Sequence, residues 1–294
     1  MQDFVHLHVH SQYSILDGQA AIKKLVDKAI ADGMKGIALT DHGNMMGIKE
    51  FYNYVSKTNK NKKDDEKFKP IIGCEVYVAE RRMFNKEVKE DRGHHLILLA
   101  KNKQGYHNLV KIVSKAWSEG YYYNPRTDKV ELEKYHEGLV CCSACIAGEI
   151  PRAIIAGDMD GAMKAIEWHK KVFGDDYYLE VQQHKTLVPG QSQEVYERQV
   201  IANAGIYELA EKTGTKVVAT NDVHFARKED SQAHDRLICL TTNAFVDDPD
   251  RMRYTQQEYL KSEEEMAEMF FDHPETLANT LEVADKIDSF KVDK

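Results

Sequence analysis

The chain has 294 residues, 42% of them hydrophobic, with six prolines and a net charge of −8 from 40 Lys+Arg against 48 Asp+Glu. Such a composition supports one large domain with a sizeable core and argues against long disordered linkers. It excludes a protein that holds nucleic acid on a broad basic face, and no run reaches the roughly 20 apolar residues of a membrane span.

The first residues, MQDFVHLHVH, have no basic stretch followed by an apolar one, so no secretory signal is read and a cytoplasmic setting is expected. Phe4–Val9 reads as the first strand. Residues two apart share a face of a strand, which puts His6, His8 and His10 on one side. A single His is most often a satisfied core residue, but an alternating set ending in HxH points to metal ligands. Asp17 follows in an Asp-Gly pair that alone signals only a turn. Gln19–Ala31 carries apolar residues near 3.6 periodicity and is expected to be a helix.

Gly36–Thr40 is the second strand, running into Asp41-His42-Gly43, and Gly47–Val55 is a helix. Lys57–Lys69 is rich in charge and reads as a solvated loop. Ile71–Val78 is the third strand. Glu75 lies inside it, and one acid in an apolar strand is costly unless paired or metal-bound. His94 and His95 precede the strand Leu96–Ala100. After a helix over Tyr106–Trp117 come the strand Gly138–Cys142 and, just beyond it, Cys145. Helix Gly161–Val172, strand Tyr177–Val181, helix Glu194–Lys212 and strand Lys216–Thr220 complete the series. His184 follows the sixth strand, and Asp222 and His224 follow the seventh.

Strand–helix alternation implies parallel strands with helices outside, and seven units suit a closed or nearly closed barrel. Ligand-capable residues collect at strand ends, where parallel α/β folds build their sites. Thirteen randomly scattered histidines would not fall this way. The five cysteines form an odd, irregular set that makes a poor disulfide framework. At the far end, Asp272-His273-Pro274-Glu275 opens a helix whose stripe of Leu277, Leu281, Ala284 and Ile287 needs something to pack on, so a following domain is expected.

The segments HLHVHSQYSILDG, ALTDHGNMMGIKEFY, PIIGCEVYVA, HLILLAKNKQGYHNLV and ATNDVHFARKEDSQAHD resemble the metal motifs of the PHP superfamily, in order and type. Their wording is similar to the DNA polymerase III alpha branch rather than the histidinol-phosphatase branch. The resemblance implies a distorted (β/α)7 TIM-like barrel with a trinuclear metal site at the C-terminal ends of the strands. It divides the chain into a PHP metal-dependent phosphoesterase domain over 1–272 and, over 273–294, the helical start of a following polymerase region. It also implies nine metal ligands: His8, His10, Asp17, His42, Glu75, His95, Cys145, Asp222 and His224. One ion would take His8, His10, Glu75 and Asp222. A second would share Glu75 with His95 and Cys145. A third would take Asp17, His42 and His224.

Two to three divalent metals are expected, zinc foremost, with manganese or iron tolerated. A metal-bound hydroxide would be the nucleophile, so no separate catalytic side chain is assigned. His6, Asp41 and His94 are candidates for orienting ligands, and His184 for touching substrate. The implied activity is 3′-5′ exonuclease action on a DNA 3′ end, within a replicative polymerase whose remaining domains and proofreading subunit would be partners. Two other readings compete: a structural or docking module without catalysis, and a small-molecule phosphatase.

Overall fold

The computed structural model describes residues 4–87, 89 and 91–292. Its eight strands are β1 (Gly36–Leu39), β2 (Lys69–Val78), β3 (His94–Ala100), β4 (Tyr121–Tyr122), β5 (Asn124–Thr127), β6 (Leu139–Cys142), β7 (Tyr177–Val181) and β8 (Val217–Ala219). Six of them curl in the order β1-β2-β3-β6-β7-β8. The expected first strand is present only as an extended, irregular segment, with an isolated bridge from Val9 to Val223. It nevertheless closes the ring. On one side the amides of Ala38 and Thr40 donate to the carbonyls of His6 and Val9. On the other, Val223 donates to His8 and His10 to Val223. The result is the expected distorted α/β barrel.

One expectation is corrected. The strands are not all parallel, because β3 pairs antiparallel with both β2 and β6. Strand direction leaves no mark in apolar periodicity, so the alternation alone could not reveal it. The reversal has a geometric result. The beginning of β3 lies at the same end of the barrel as the ends of its neighbours, so His95 sits beside residues that follow their strands. A short hairpin, β4–β5, was also not anticipated. It attaches β5 parallel to the last residues of β2, beyond the point where β1 has ended.

The helices form because each has one apolar stripe. Lys103–Ser118 shows the pattern: Asn102 caps it by accepting from the Gly105 amide, and Leu109, Ile112, Val113 and Ala116 recur at helical spacing and are buried. They meet the outward residues of the strands, among them Leu96, Leu98, Leu139 and Cys141. Alternate residues, including Ile71, Ile97, Val140, Tyr178 and Val218, belong to a separate buried cluster inside the ring.

The C-terminal stripe finds its partner within this chain. Helix Glu275–Lys286 and the residue that caps it place Val283, Ala284 and Ile287 in that inner cluster. Its polar contacts with the barrel are made at the end opposite the ligands. Thr280 Oγ1 accepts from the Val5 amide, Asn279 donates to the Val217 carbonyl, and Tyr178 donates to Glu282. Lys69 Nζ donates to the carbonyls of Ala284 and Ile287. The helix is a stopper in the floor of the barrel. Among the described residues no helix is long and apolar enough to cross a membrane.

Candidate metal centre

Seven separate stretches of chain deliver the nine expected ligands to one end of the barrel. Glu75 is at the middle and fully buried. Its Oε1 lies 2.8 Å from His95 Nδ1 and 3.2 Å from His8 Nε2, while Oε2 faces His42 Nδ1 and lies 3.8 Å from His10 Nε2. Asp222 Oδ1 is 3.1 Å from His8 Nε2 and 3.2 Å from His10 Nε2. Asp17 Oδ2 joins His42 Nε2 at 2.8 Å and His224 Nε2 at 3.3 Å. Cys145 Sγ is 3.6 Å from His95 Nδ1, and its thiol is free.

Local backbone geometry places these groups. Gly43 adopts φ +59°, and a Cβ there would meet Pro125 at 2.7 Å and Tyr77 at 3.0 Å, so only glycine lets the turn after His42 tuck under the hairpin. Asp222 itself has φ +44°. A non-glycine residue held there stores about 1–3 kcal/mol of strain, a feature that clusters at functional sites. The turn is pinned by Asn221, whose side-chain amide donates to the carbonyls of Gln257 and Tyr259.

Outer residues fix the rings. His8 Nδ1 bonds Glu180 Oε1 at 2.7 Å, which leaves Nε2 toward the cluster. His10 Nδ1 bonds Ser14 Oγ, and Ser14 donates in turn to Asp41. Asp41 also accepts from the amide and hydroxyl of Ser11. It therefore orients His10 through Ser14, as an orienting residue should. Tyr254 donates to Asp17 Oδ1 at 2.8 Å. Sequence reasoning missed Glu180, Ser14 and Tyr254. Glu180 carried a readable signal, being a lone acid in the apolar strand YYLEV, like Glu75 in its own strand.

Three candidates lie elsewhere. His6 turns to the Lys261 carbonyl at 2.9 Å. His94 Nδ1 is 3.4 Å from Arg152 Nη1, outside the cluster. His184 lines the cavity wall, but Nε2 is bonded to the Asn221 carbonyl and Nδ1 to Gln199. No ring nitrogen is left to offer substrate. The contact with Asn221 braces the strained turn instead.

Burial opposes charge throughout the cluster, yet charge wins at most positions. It would raise the Glu75 carboxyl, but the imidazoles of His95 and His42 hold it well below the usual range. Burial would lower His42 and His8, but Glu75 and Asp17 raise the first, and Asp222 and Glu180 the second, well above the ordinary value. His224 rises to about 9 beside Asp17 and Asp222. His10 falls to about 3 through burial and two neighbouring imidazoles. Burial, with Asp222 and Glu75 nearby, pushes the Cys145 thiol well up.

The residues fit bound cations on two grounds. First, His42 Nδ1, Glu75 Oε2, Asp222 Oδ1 and His224 Nε2 are buried and meet neighbouring ligand atoms only in close ion pairs that lack hydrogen-bond geometry, a crowding of polar atoms that a cation relieves. Second, three donor triplets each lie within 4.8 Å: His8/His10/Glu75, His42/Glu75/His95 and His10/His42/His224. Imidazole, carboxylate and thiolate together suit zinc or a similar transition ion. The cluster opens into a cavity of about 780 Å³.

Comparison with known proteins matches residues 6–184 to the PHP domain. The DNA polymerase III subunit alpha of Borreliella burgdorferi is 45% identical over 293 residues, covering 98% of this chain and 24% of the relative. That of Treponema pallidum is 42% identical, covering 96% and 23%. The chain thus spans about a quarter of the length of these relatives. Among solved structures, a lesion-specific endonuclease from Pyrococcus furiosus aligns with 76% of this chain and 49% of its own, at TM-score 0.42 and 14% identity. A histidinol phosphate phosphatase from Lactococcus lactis aligns with 88% of this chain and 99% of its own, at TM-score 0.36 and 12% identity.

Proposed function

Since the chain belongs to the PHP domain family, we propose that it serves as the N-terminal PHP domain of a replicative DNA polymerase III alpha subunit and that its cluster is a metal-dependent 3′-5′ exonuclease site. The observation that carries this reading is the convergence of nine ligand-type side chains, none missing, around the buried carboxylate of Glu75. A module that had lost its chemistry would be free to lose such a set, because burying so many ionisable groups together is costly.

In this reading His8, His10, Glu75 and Asp222 would hold one ion, Glu75, His95 and Cys145 a second, and Asp17, His42 and His224 a third. Bound divalent cations lower the pKa of a coordinated water and neutralise phosphoryl oxygens during in-line displacement. The chain's own residues do the rest. Glu180 and Ser14 hold His8 and His10 in one tautomer and orientation. Tyr254 fixes Asp17. The barrel wall keeps bulk water from the buried side. The wider assignment follows from the same reading: the remaining polymerase domains and the proofreading subunit as partners, in the cytoplasm.

One observation favours the docking alternative. A net charge of −8 gives the domain no long-range attraction for DNA. The test is release of mononucleotides from the 3′ end of a labelled single-stranded oligonucleotide by metal-loaded protein, beside histidinol phosphate as a second substrate. Release from DNA with zinc, manganese or iron supports the exonuclease. Silence with all three, at measured full metal content, supports the docking module. Preference for histidinol phosphate supports the small-molecule phosphatase.

A further inference from the structure

The mouth of the cavity has an aromatic wall that the metal chemistry does not use. Trp117, Tyr121 and Tyr123 line it and are 45%, 49% and 51% exposed. The Trp117 and Tyr121 rings stack at 5.6 Å with only 25° between their planes. Trp117 Nε1 already donates to the Gly43 carbonyl at 2.7 Å, next to His42. With its one donor satisfied, the indole has only its face to offer.

Tyr123 is the sharper observation. It sits between β4 and β5, at the tip of the hairpin, with φ +61°. Tight turns put Gly or Asn in that conformation, and a bulky aromatic there is strained. The strain holds a ring out over the mouth, with Arg92 Cζ 5.4 Å from its centroid. Arg92 and Arg152 both line the same cavity. Among the described residues neither guanidinium is paired with a carboxylate, so both charges are available at the edge of an otherwise acidic molecule.

Flat faces that accept any base, flanked by cations for the backbone, are how proteins bind single strands without reading sequence. We propose that Trp117, Tyr121 and Tyr123 form a stacking platform for the unpaired bases of a single-stranded nucleic acid, with Arg92 and Arg152 on its phosphates, and that this platform feeds the strand end toward Glu75. This rests on the phosphoesterase reading for what happens at the cluster, but not for the binding itself. The rim selects for strands over small phosphate esters, which have no second base to stack. It also explains how a domain of net charge −8 engages a polyanion: the contact is local and aromatic rather than long-range.

The test is binding of a 5′-fluorescent oligothymidylate with hydrolysis-resistant phosphorothioate linkages, followed by anisotropy with metal-loaded protein. A second ligand lacks the last two bases at its 3′ end. Tyr121→Ala and Tyr123→Gly are each expected to weaken the intact strand by roughly 5- to 150-fold, the range for one stacked base. Neither should further weaken the abasic strand, which the unaltered protein should already bind poorly. Tyr123→Gly relieves the turn, so its Tm should be no lower than that of the parent, which separates lost stacking from lost folding. Equal affinity of parent and variants, or of intact and abasic strands, overturns the proposal. So does failure of the parent to bind either strand, which would return the rim to a protein partner. If the same strand with ordinary phosphodiester linkages is bound through the rim but never cleaved, the exonuclease reading sinks and this inference stands. Cleavage and binding indifferent to both substitutions would do the reverse.

Discussion

Glu180 Oε1 lies 2.7 Å from His8 Nδ1, on the buried side of the cluster, where neither residue reaches solvent. Glu180 also accepts from Thr220 and Gln182, so it is itself held in place. A carboxylate behind a ligating imidazole sets its tautomer and strengthens it as a donor.

Glu180→Gln is therefore expected to weaken metal binding by about 10- to 100-fold without changing the number of ions held at saturation. Titration with zinc against a competing chelator measures both quantities. Unchanged affinity would mean that Glu180 is only a buried partner of Thr220 and Gln182.

Glu75→Gln should be the most damaging single change at the site. It keeps the shape but removes the charge that faces His8, His42 and His95 together. Metal-dependent hydrolysis of the oligonucleotide should vanish, while circular dichroism shows an intact fold. Folded Glu75→Gln that still cleaves would place the hydrolysis elsewhere. His184→Ala should only weaken activity, because it acts through the Asn221 carbonyl.

Cys145 should bind metal as a thiolate although burial and nearby carboxylates push the free thiol's pKa up. Only a cation offsets that penalty. Cobalt-substituted protein should show a sulfur-to-cobalt charge-transfer band that Cys145→Ser lacks. A band that survives the substitution would remove Cys145 from the ligand set.

Acid sensitivity has a source outside the cluster. His169 is buried, stacks on Tyr177, and burial lowers its pKa from 6.5 to about 4. Between those values the unfolded chain takes up a proton that the folded one refuses. Stability thus rises with pH across the window and is lost as pH falls through it. Full passage costs roughly 3 kcal/mol at 1.36 kcal/mol per unit. Urea unfolding of the parent and of His169→Gln at several pH values from 7 to 4 should show a shallower decline in the variant. Parallel curves would mean that His169 is not the group responsible.

The floor helix is expected to matter for stability as much as the strands. Ile287 is buried in the inner cluster, and Ile287→Ala should cost about 2–5 kcal/mol and lower the Tm, with metal content at saturation unchanged. A loss below 1 kcal/mol would show that the floor tolerates an opening.

Much of this was legible in the sequence because metal sites impose spacing. The alternation His8-x-His10, the lone acid Glu75 and the pair Asp222-x-His224 carry their meaning locally, and the structure gathers them. What escaped depends on contacts far apart in the chain. The direction of β3 is set by neighbours on both sides. His184 sat beside ligands in sequence and looked free, until Gln199 and the Asn221 carbonyl claimed its two nitrogens. The apolar stripe at Leu277–Ile287 was correctly read as needing a partner, but periodicity does not say whether that partner lies ahead or behind. Tyr123 looked ordinary because strain is a property of φ, which no residue pattern displays.

The hydrogen bond from Val5 to Thr280 joins positions 275 residues apart. On a ribosome adding about 5–20 residues per second, Val5 is made roughly 14–55 s before its partner. Throughout that interval the His6–His10 segment has β1 on one side but neither Val223 nor the stopper. The nascent barrel stands open at seam and floor, with its apolar lining unsealed. The nine proposed ligands are all present only when His224 has emerged, so cation loading at the full cluster would follow that point. Removing the last two turns of helix Glu275–Lys286 would leave the floor permanently in the open condition that it otherwise passes through once.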